Sequence, residues 1–217
     1  MLWLPLLPIR KRRIVLSYPC VGEVNWKNFS KKTSAYLRLL TWNVAQTDRA
    51  FVVRTGHTTL TLSRDCLFLI LTQWDLWSKY YLPEFSLQGK VVLDVGAGCG
   101  ETAYFYFKHG ASKVMCVECN EEALAYLKKN SARNNWNTEI LDHPFELSDI
   151  NREYDFMKVD CEGSEAAILS SERDLRPCVI EVHSAEIREK FMSKFKLVEL
   201  LRPPEHNWIL STPVMQK

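Results

Sequence analysis

The spacing of apolar and polar positions changes character near residue 90. Upstream, Phe51-Val-Val-Arg54 and Thr58-Thr-Leu-Thr-Leu-Ser63 alternate with the two-residue period of short, half-buried strands, and Thr55-Gly56-His57 forms the turn between them. Residues 65–81 place aromatic and aliphatic side chains at helical spacing, and Trp74, Trp77, Tyr80 and Tyr81 are expected to form a lid or a wall beside a main sheet. Downstream, strands and helices alternate. Residues 90–95 form a near-continuous apolar run, the look of a central parallel strand covered on both faces. Residues 113–117, 139–141, 154–159 and 178–182 read as further strands, and 101–110, 121–134, 164–170 and 186–195 as the helices between them. The helix over 121–134 starts with acids and carries bases near its end, matching the helix dipole. Residues 197–200 and 208–211 read as a closing antiparallel pair. The pattern predicts an α/β fold built on a doubly wound, mostly parallel sheet.

Composition narrows the class without naming a partner. A chain of 217 residues with 47% hydrophobic and 25% charged positions is an ordinary globular protein, long enough to bury a substantial core. Net charge is +2, but residues 1–50 carry +7 and the remainder −5. Such a basic arm suits phosphates or an anionic surface, or is simply solvated. The opening apolar run, residues 1–9, precedes its basic cluster (Arg10, Lys11, Arg12, Arg13), the reverse of a secretory signal. It is also shorter than the ~20 residues a bilayer span needs. Seven cysteines, mostly inside apolar runs, read as reduced thiols of a cytoplasmic protein. Cys116-Val-Glu-Cys119 has the spacing of half a zinc site, but no second pair follows and no metal is expected.

The most informative stretch is Val91-Val-Leu-Asp-Val-Gly-Ala-Gly-Cys-Gly-Glu-Thr102, a buried strand running through three glycines into a helix. Glycines permit a sharp turn and let a ligand approach the main chain. Dinucleotide sites read G-x-G-x-x-G, with a pyrophosphate on the helix N-terminus. Here the spacing is G-x-G-x-G, and Asp94 stands two residues before Gly96. That pattern argues against a nicotinamide-dependent dehydrogenase and suits S-adenosylmethionine, which has no phosphate. Asp94 would meet the cofactor's ammonium, directly or through water, and the amides of Gly96, Ala97, Gly98 and Gly100 its carboxylate. Glu118, at the end of the second strand with Cys119 beside it, would accept from both ribose hydroxyls. Asp142 and His143, after the third strand, would lie at the adenine.

A second stretch, Tyr154-Asp-Phe-Met-Lys-Val-Asp-Cys-Glu-Gly-Ser-Glu165, delivers Asp160 and Glu162 to the same sheet edge. It resembles the D-F-I-K-I-D-V-E-G-A-E pattern of the FkbM family of methyltransferases. Val92-Leu-Asp-Val-Gly-Ala-Gly98 and Pro177-Cys-Val-Ile-Glu-Val-His183 fit the same family, and the resemblance covers roughly residues 51–210. It implies a Rossmann-like, class I methyltransferase domain over 51–217, with the core at 90–217 and residues 1–50 as a basic extension. It also implies methyl transfer to oxygen of a sugar or other small hydroxylated metabolite. Asp160, Glu162 and His183, on adjacent strand ends, are the candidate catalytic groups, with Asp160 also lining the cofactor. An unperturbed histidine titrates near neutral pH, as a base should. RNA methylation using the basic arm is a second possibility, although an Asn-Pro-Pro-Tyr-type motif is absent. A cofactor-binding module without turnover is a third.

Overall fold

A computed structural model describes Arg38 and residues 41–201 and 207–213. The apolar start at residues 1–9, the basic cluster that follows it and Cys20 lie outside the described residues. The chain divides into two compact units, one ending at Asp75 and the other starting at Leu76.

The first unit holds a three-stranded antiparallel meander. Strands β1 (Asn43–Gln46), β2 (Phe51–Thr55) and β3 (Thr58–Leu62) pair in that order. Gly56 makes the β2–β3 turn with φ 57°. The expected strands and their turn are present. Strand β1, inside the stretch read as an extension, is an addition: its four residues are too few and too polar to show a period. Helix α1 (Arg64–Tyr80) follows.

The second unit is a seven-stranded sheet. Its strands are β4 (Val91–Val95), β5 (Lys113–Val117), β6 (Thr138–Leu141), β7 (Phe156–Val159), β8 (Cys178–Val182), β9 (Val198–Leu201) and β10 (Trp208–Ser211). Their order is β6-β5-β4-β7-β8-β10-β9. The first five are parallel, and β10 runs antiparallel to both β8 and β9. The connecting helices are α2 (Glu101–Lys108), α3 (Glu121–Asn134) and α4 (Ala185–Lys194). Residues Ser164–Ser170, expected as an α-helix, wind as the tighter 3-10 form, and a second 3-10 turn spans Leu147–Asn151.

The apolar runs of β4, β7 and β8 form the core. Leu93, Val95, Met157, Val159, Ile180 and Val182 are all fully buried. Trp77 and Tyr81 stack on each other, and Trp77 sets its edge against Phe105 of α2, so these aromatics are packed as a wall. The chain leaves β4 toward β5 and β6 on one side, then returns to β7 on the other. The crevice of an open α/β sheet lies at such a reversal, outside the carboxyl ends of the strands. Here that point is flanked by the loops after β4 and β7.

Candidate active site

The loop after β4 depends on backbone conformations that L side chains rarely adopt. Gly96 and Gly98 have φ of 74° and 54°. A Cβ on Gly96 would stand 1.8 Å from the Asp160 carbonyl oxygen, so only glycine allows the β4 and β7 loops to touch. The amides of Gly96 and Ala97 donate to the Val117 carbonyl at 2.9 and 3.2 Å. The Gly98 amide donates to Oε2 of Glu118 at 2.8 Å, while Oε1 of that carboxylate accepts from the amides of Cys119 and Asn120. The tip of β5 therefore braces the glycine loop.

The expected cofactor residues share one sheet edge but differ in access. Gly96, Gly98 and Glu118 are half-buried, Cys119 is exposed, and Ala97 and Gly100 are buried and shape the turn. Asp142 is exposed and paired with Lys128 at 2.8 Å. His143 Nδ1 lies 2.8 Å from the Pro144 carbonyl. Asp94 is the fully buried acid among them. It accepts from the Thr102 hydroxyl at 2.5 Å and pairs with Lys158 Nζ at 3.2 Å. These two partners on α2 and β7 hold the carboxylate out of solvent.

Beyond the loop, the edges of β7 and β8 gather a charged cluster. The Tyr81 hydroxyl lies 3.0 Å from Asp160 Oδ2 and 2.9 Å from Glu181 Oε2, so two carboxyl groups face one phenolic proton. Glu181 Oε1 accepts from the Asn207 side-chain amide at 2.8 Å. Burial, and then the Asp160 charge, push the Glu181 carboxyl above its ordinary range, while the Asn207 and Tyr81 hydrogen bonds oppose the shift. Burial and the same two carboxylates push the Tyr81 phenol up, so it stays protonated.

His183 sits among acids: Nδ1 is 3.3 Å from Glu165, and Nε2 is 3.6 Å from Glu162 and 3.9 Å from Asp160. The Glu165 hydrogen bond, followed by the surrounding negative charge, outweighs burial and pushes the imidazole up to about 9. An unperturbed histidine titrates near 6.5; His183 is perturbed, so the ring is a cation at neutral pH and is not poised to accept a proton. Glu162 is 87% exposed at its side chain and holds a left-handed φ of 51°. Asp160, Glu181 and His183 each bring one ligand-capable atom within 4.8 Å of the others, a spacing that a cation would also accept. Glu181 was not singled out in the sequence, and Tyr81 was read there only as one aromatic of a wall or lid. The signal for Glu181 was an acid interrupting the apolar run of β8; Tyr81 looked like one more aromatic on a helix.

Residues 71–161 match the family model of the methyltransferase small domain, a span that takes in the glycine loop, Glu118 and Asp160. Among solved structures, the chain is similar to that of aTrm5 in complex with tRNALeu. The two are 17% identical with a TM-score of 0.51, over 77% of this chain and 53% of that one. The fold is that of a class I methyltransferase. Aeropyrum pernix fibrillarin with natively bound S-adenosyl-L-methionine is also similar, at 13% identity and TM-score 0.48, over 78% of this chain and 96% of that one. So is the ribosomal protein L11 methylase of Lactobacillus delbrueckii subsp. bulgaricus, at 16% identity and TM-score 0.47, over 69% and 77%. No curated protein matches the chain in sequence.

The matched domain and the fold are those of S-adenosylmethionine-dependent methyltransferases, and the residues on the β4 and β5 edges fit that cofactor. The Gly98 amide donates to Glu118, which sets the glycine loop and that carboxylate side by side at the sheet edge. Glu118 supplies a half-buried carboxylate at the tip of the neighbouring strand.

Proposed function

We propose that the protein transfers a methyl group from S-adenosylmethionine to an oxygen of a small hydroxylated acceptor, such as a sugar, in the cytoplasm. The observation that carries this reading is the pair of carboxyl groups, Asp160 and Glu181, set around Tyr81 beside the glycine loop. The Gly96–Gly98 turn would hold the amino-acid end of the cofactor and Glu118 its ribose. Cys119, Asp142 and His143 would border the adenine, and Ala97 and Gly100 would keep the turn in shape. The cofactor supplies an activated methyl on a sulfonium. The chain's own residues hold the acceptor in line and remove its proton.

Asp160 or Glu181 accepts the acceptor's hydroxyl proton in this scheme. The Glu181 carboxyl, raised above its ordinary range by burial, is a stronger base than an ordinary carboxylate. The Tyr81 hydroxyl lies between the two carboxyl groups and donates to one at a time, and the His183 imidazolium, which also pairs with Glu162, limits their mutual repulsion. The resemblance of residues 154–165 to the FkbM family supports transfer to oxygen. In this reading the methyltransferase domain spans 51–217.

The decisive test is incubation with methyl-labelled cofactor and a panel of polyols, sugars and glycosides. Label should enter an O-methyl product, and Asp160→Asn should lower turnover far more than cofactor affinity. Equal turnover by Asp160→Asn would remove that carboxylate from the chemistry.

RNA methylation is the second reading. It is favoured by the +7 charge of residues 1–50 and by the similarity to a structure solved with bound tRNA. It predicts RNA affinity that falls steeply with salt, as phosphate contacts require. Labelled RNA alongside the small-molecule panel separates the two.

A further inference from the structure

Lys158 is the most deeply buried cation among the described residues, with 1% of its surface exposed in the middle of the sheet. Besides lying over the Tyr81 ring, its Nζ has three partners in β4 and the loop after it: it donates to the carbonyls of Val95 and Gly96, at 3.2 and 2.8 Å, and pairs with Asp94 at 3.2 Å. Two of these partners are the last residue of β4 and the first glycine of the loop. The third, Asp94, is fully buried and also held by Thr102 in the first turn of α2. The Val95 carbonyl takes a further bond from the Asp160 amide at 3.1 Å. A single ammonium on β7 thus ties together the end of β4, the start of the glycine loop and the start of α2.

Packing gives no reason for a charge here. Burying an ion pair costs desolvation, and apolar replacements of similar volume are often as stable or more so. Methionine nearly matches lysine in length and would fill the same space. The bonds to two successive carbonyls supply the reason. They fix the peptide planes on either side of Gly96, at a residue that has more backbone freedom than any other.

We propose that Lys158, charged and oriented by Asp94, is a positioning residue that pre-sets the glycine loop for the amino-acid end of the cofactor. This rests on the S-adenosylmethionine reading of that loop. Pre-organisation acts on affinity by removing the ordering cost from the binding step. Removing both charges together should therefore leave the fold intact and weaken the cofactor.

The test uses the full chain and S-adenosylhomocysteine as the calorimetric probe, with Tm measured in parallel. Lys158→Met with Asp94→Asn removes the pair without stranding a buried charge. It is expected to hold Tm within a few degrees of the parent while weakening the probe at least ~10-fold. A merely structural role would lower Tm and leave the affinity of the folded protein unchanged, and that outcome would overturn the proposal. If the double variant does not fold, Thr102→Val carries the test. It removes the 2.5 Å bond that holds Asp94 toward Lys158 and should weaken the probe ~3-fold; unchanged affinity there is equally fatal. Failure of the parent protein to bind the probe is a different result, because it sinks the cofactor reading itself.

Discussion

A histidine surrounded by carboxylates is a fixed charge before it is a base, and His183 is the residue where the two roles separate. Its Glu165 partner has no exposed side-chain surface and also accepts from the His183 backbone amide at 3.2 Å. Removing that carboxylate takes away the largest influence holding the ring protonated. NMR titration should place His183 close to 9 in the parent and nearer the ordinary value of ~6.5 in Glu165→Gln. The effect on stability has a definite sign. A raised histidine contributes fully below its unfolded value, about 6.5. That contribution is lost as pH rises through about 9. The parent should therefore lose stability across this window, measured by denaturant midpoints, and Glu165→Gln should show a flatter profile. A parent histidine titrating near 6.5 would return it to the list of candidate bases.

At the scale of elements, the glycine loop was the most legible part of the sequence because three constraints coincide there: a buried strand, closely spaced glycines and an immediate helix. The structure adds why two of the glycines are required. Gly96 has no room against the Asp160 carbonyl, and a Cβ on Gly98 would lie 2.6 Å from Glu101 Oε1 at a φ of 54°. Gly98→Val should thus abolish S-adenosylhomocysteine binding by calorimetry while the sheet survives, since the strain is confined to a loop. Retained affinity would show that the loop does not contact the cofactor. The parallel strands were legible from their apolar runs, and the closing pair from its position after the last crossover. Three things were hidden. The Asp94–Lys158 pair was hidden because the sequence shows that an acid precedes the glycines, not that Lys158 lies opposite it in the next strand. Glu181 and Tyr81 are 100 residues apart, and only the fold brings them to 2.9 Å. The 3-10 winding of Ser164–Ser170 follows a glycine with φ 103°, a backbone detail with no distinctive residue pattern.

For the molecule as a whole, the strand order decides where a ligand can act on stability. The reversal puts β4 between β5 and β7, so the glycine loop meets Glu118 from one neighbour and Asp160 from the other. A cofactor bound there would bridge the tips of β4 and β5, adding to the hydrogen bonds that already join them. It would bind the native sheet and not the unfolded chain, whose loop and Glu118 are far apart in solution. Linkage then sets the size of the effect: S-adenosylhomocysteine at about 100 times its Kd should add about 2.7 kcal/mol to unfolding. Because the binding residues belong to the unit that starts at Leu76, the shift should appear in the unfolding of that unit. Hydrogen exchange at the amides of β4, β5 and β7 should slow with ligand, and those of β1–β3 should change less. A thermal shift without protection at β4 and β5 would place the ligand elsewhere on the molecule. The two results together distinguish binding at the strand reversal from non-specific stabilisation.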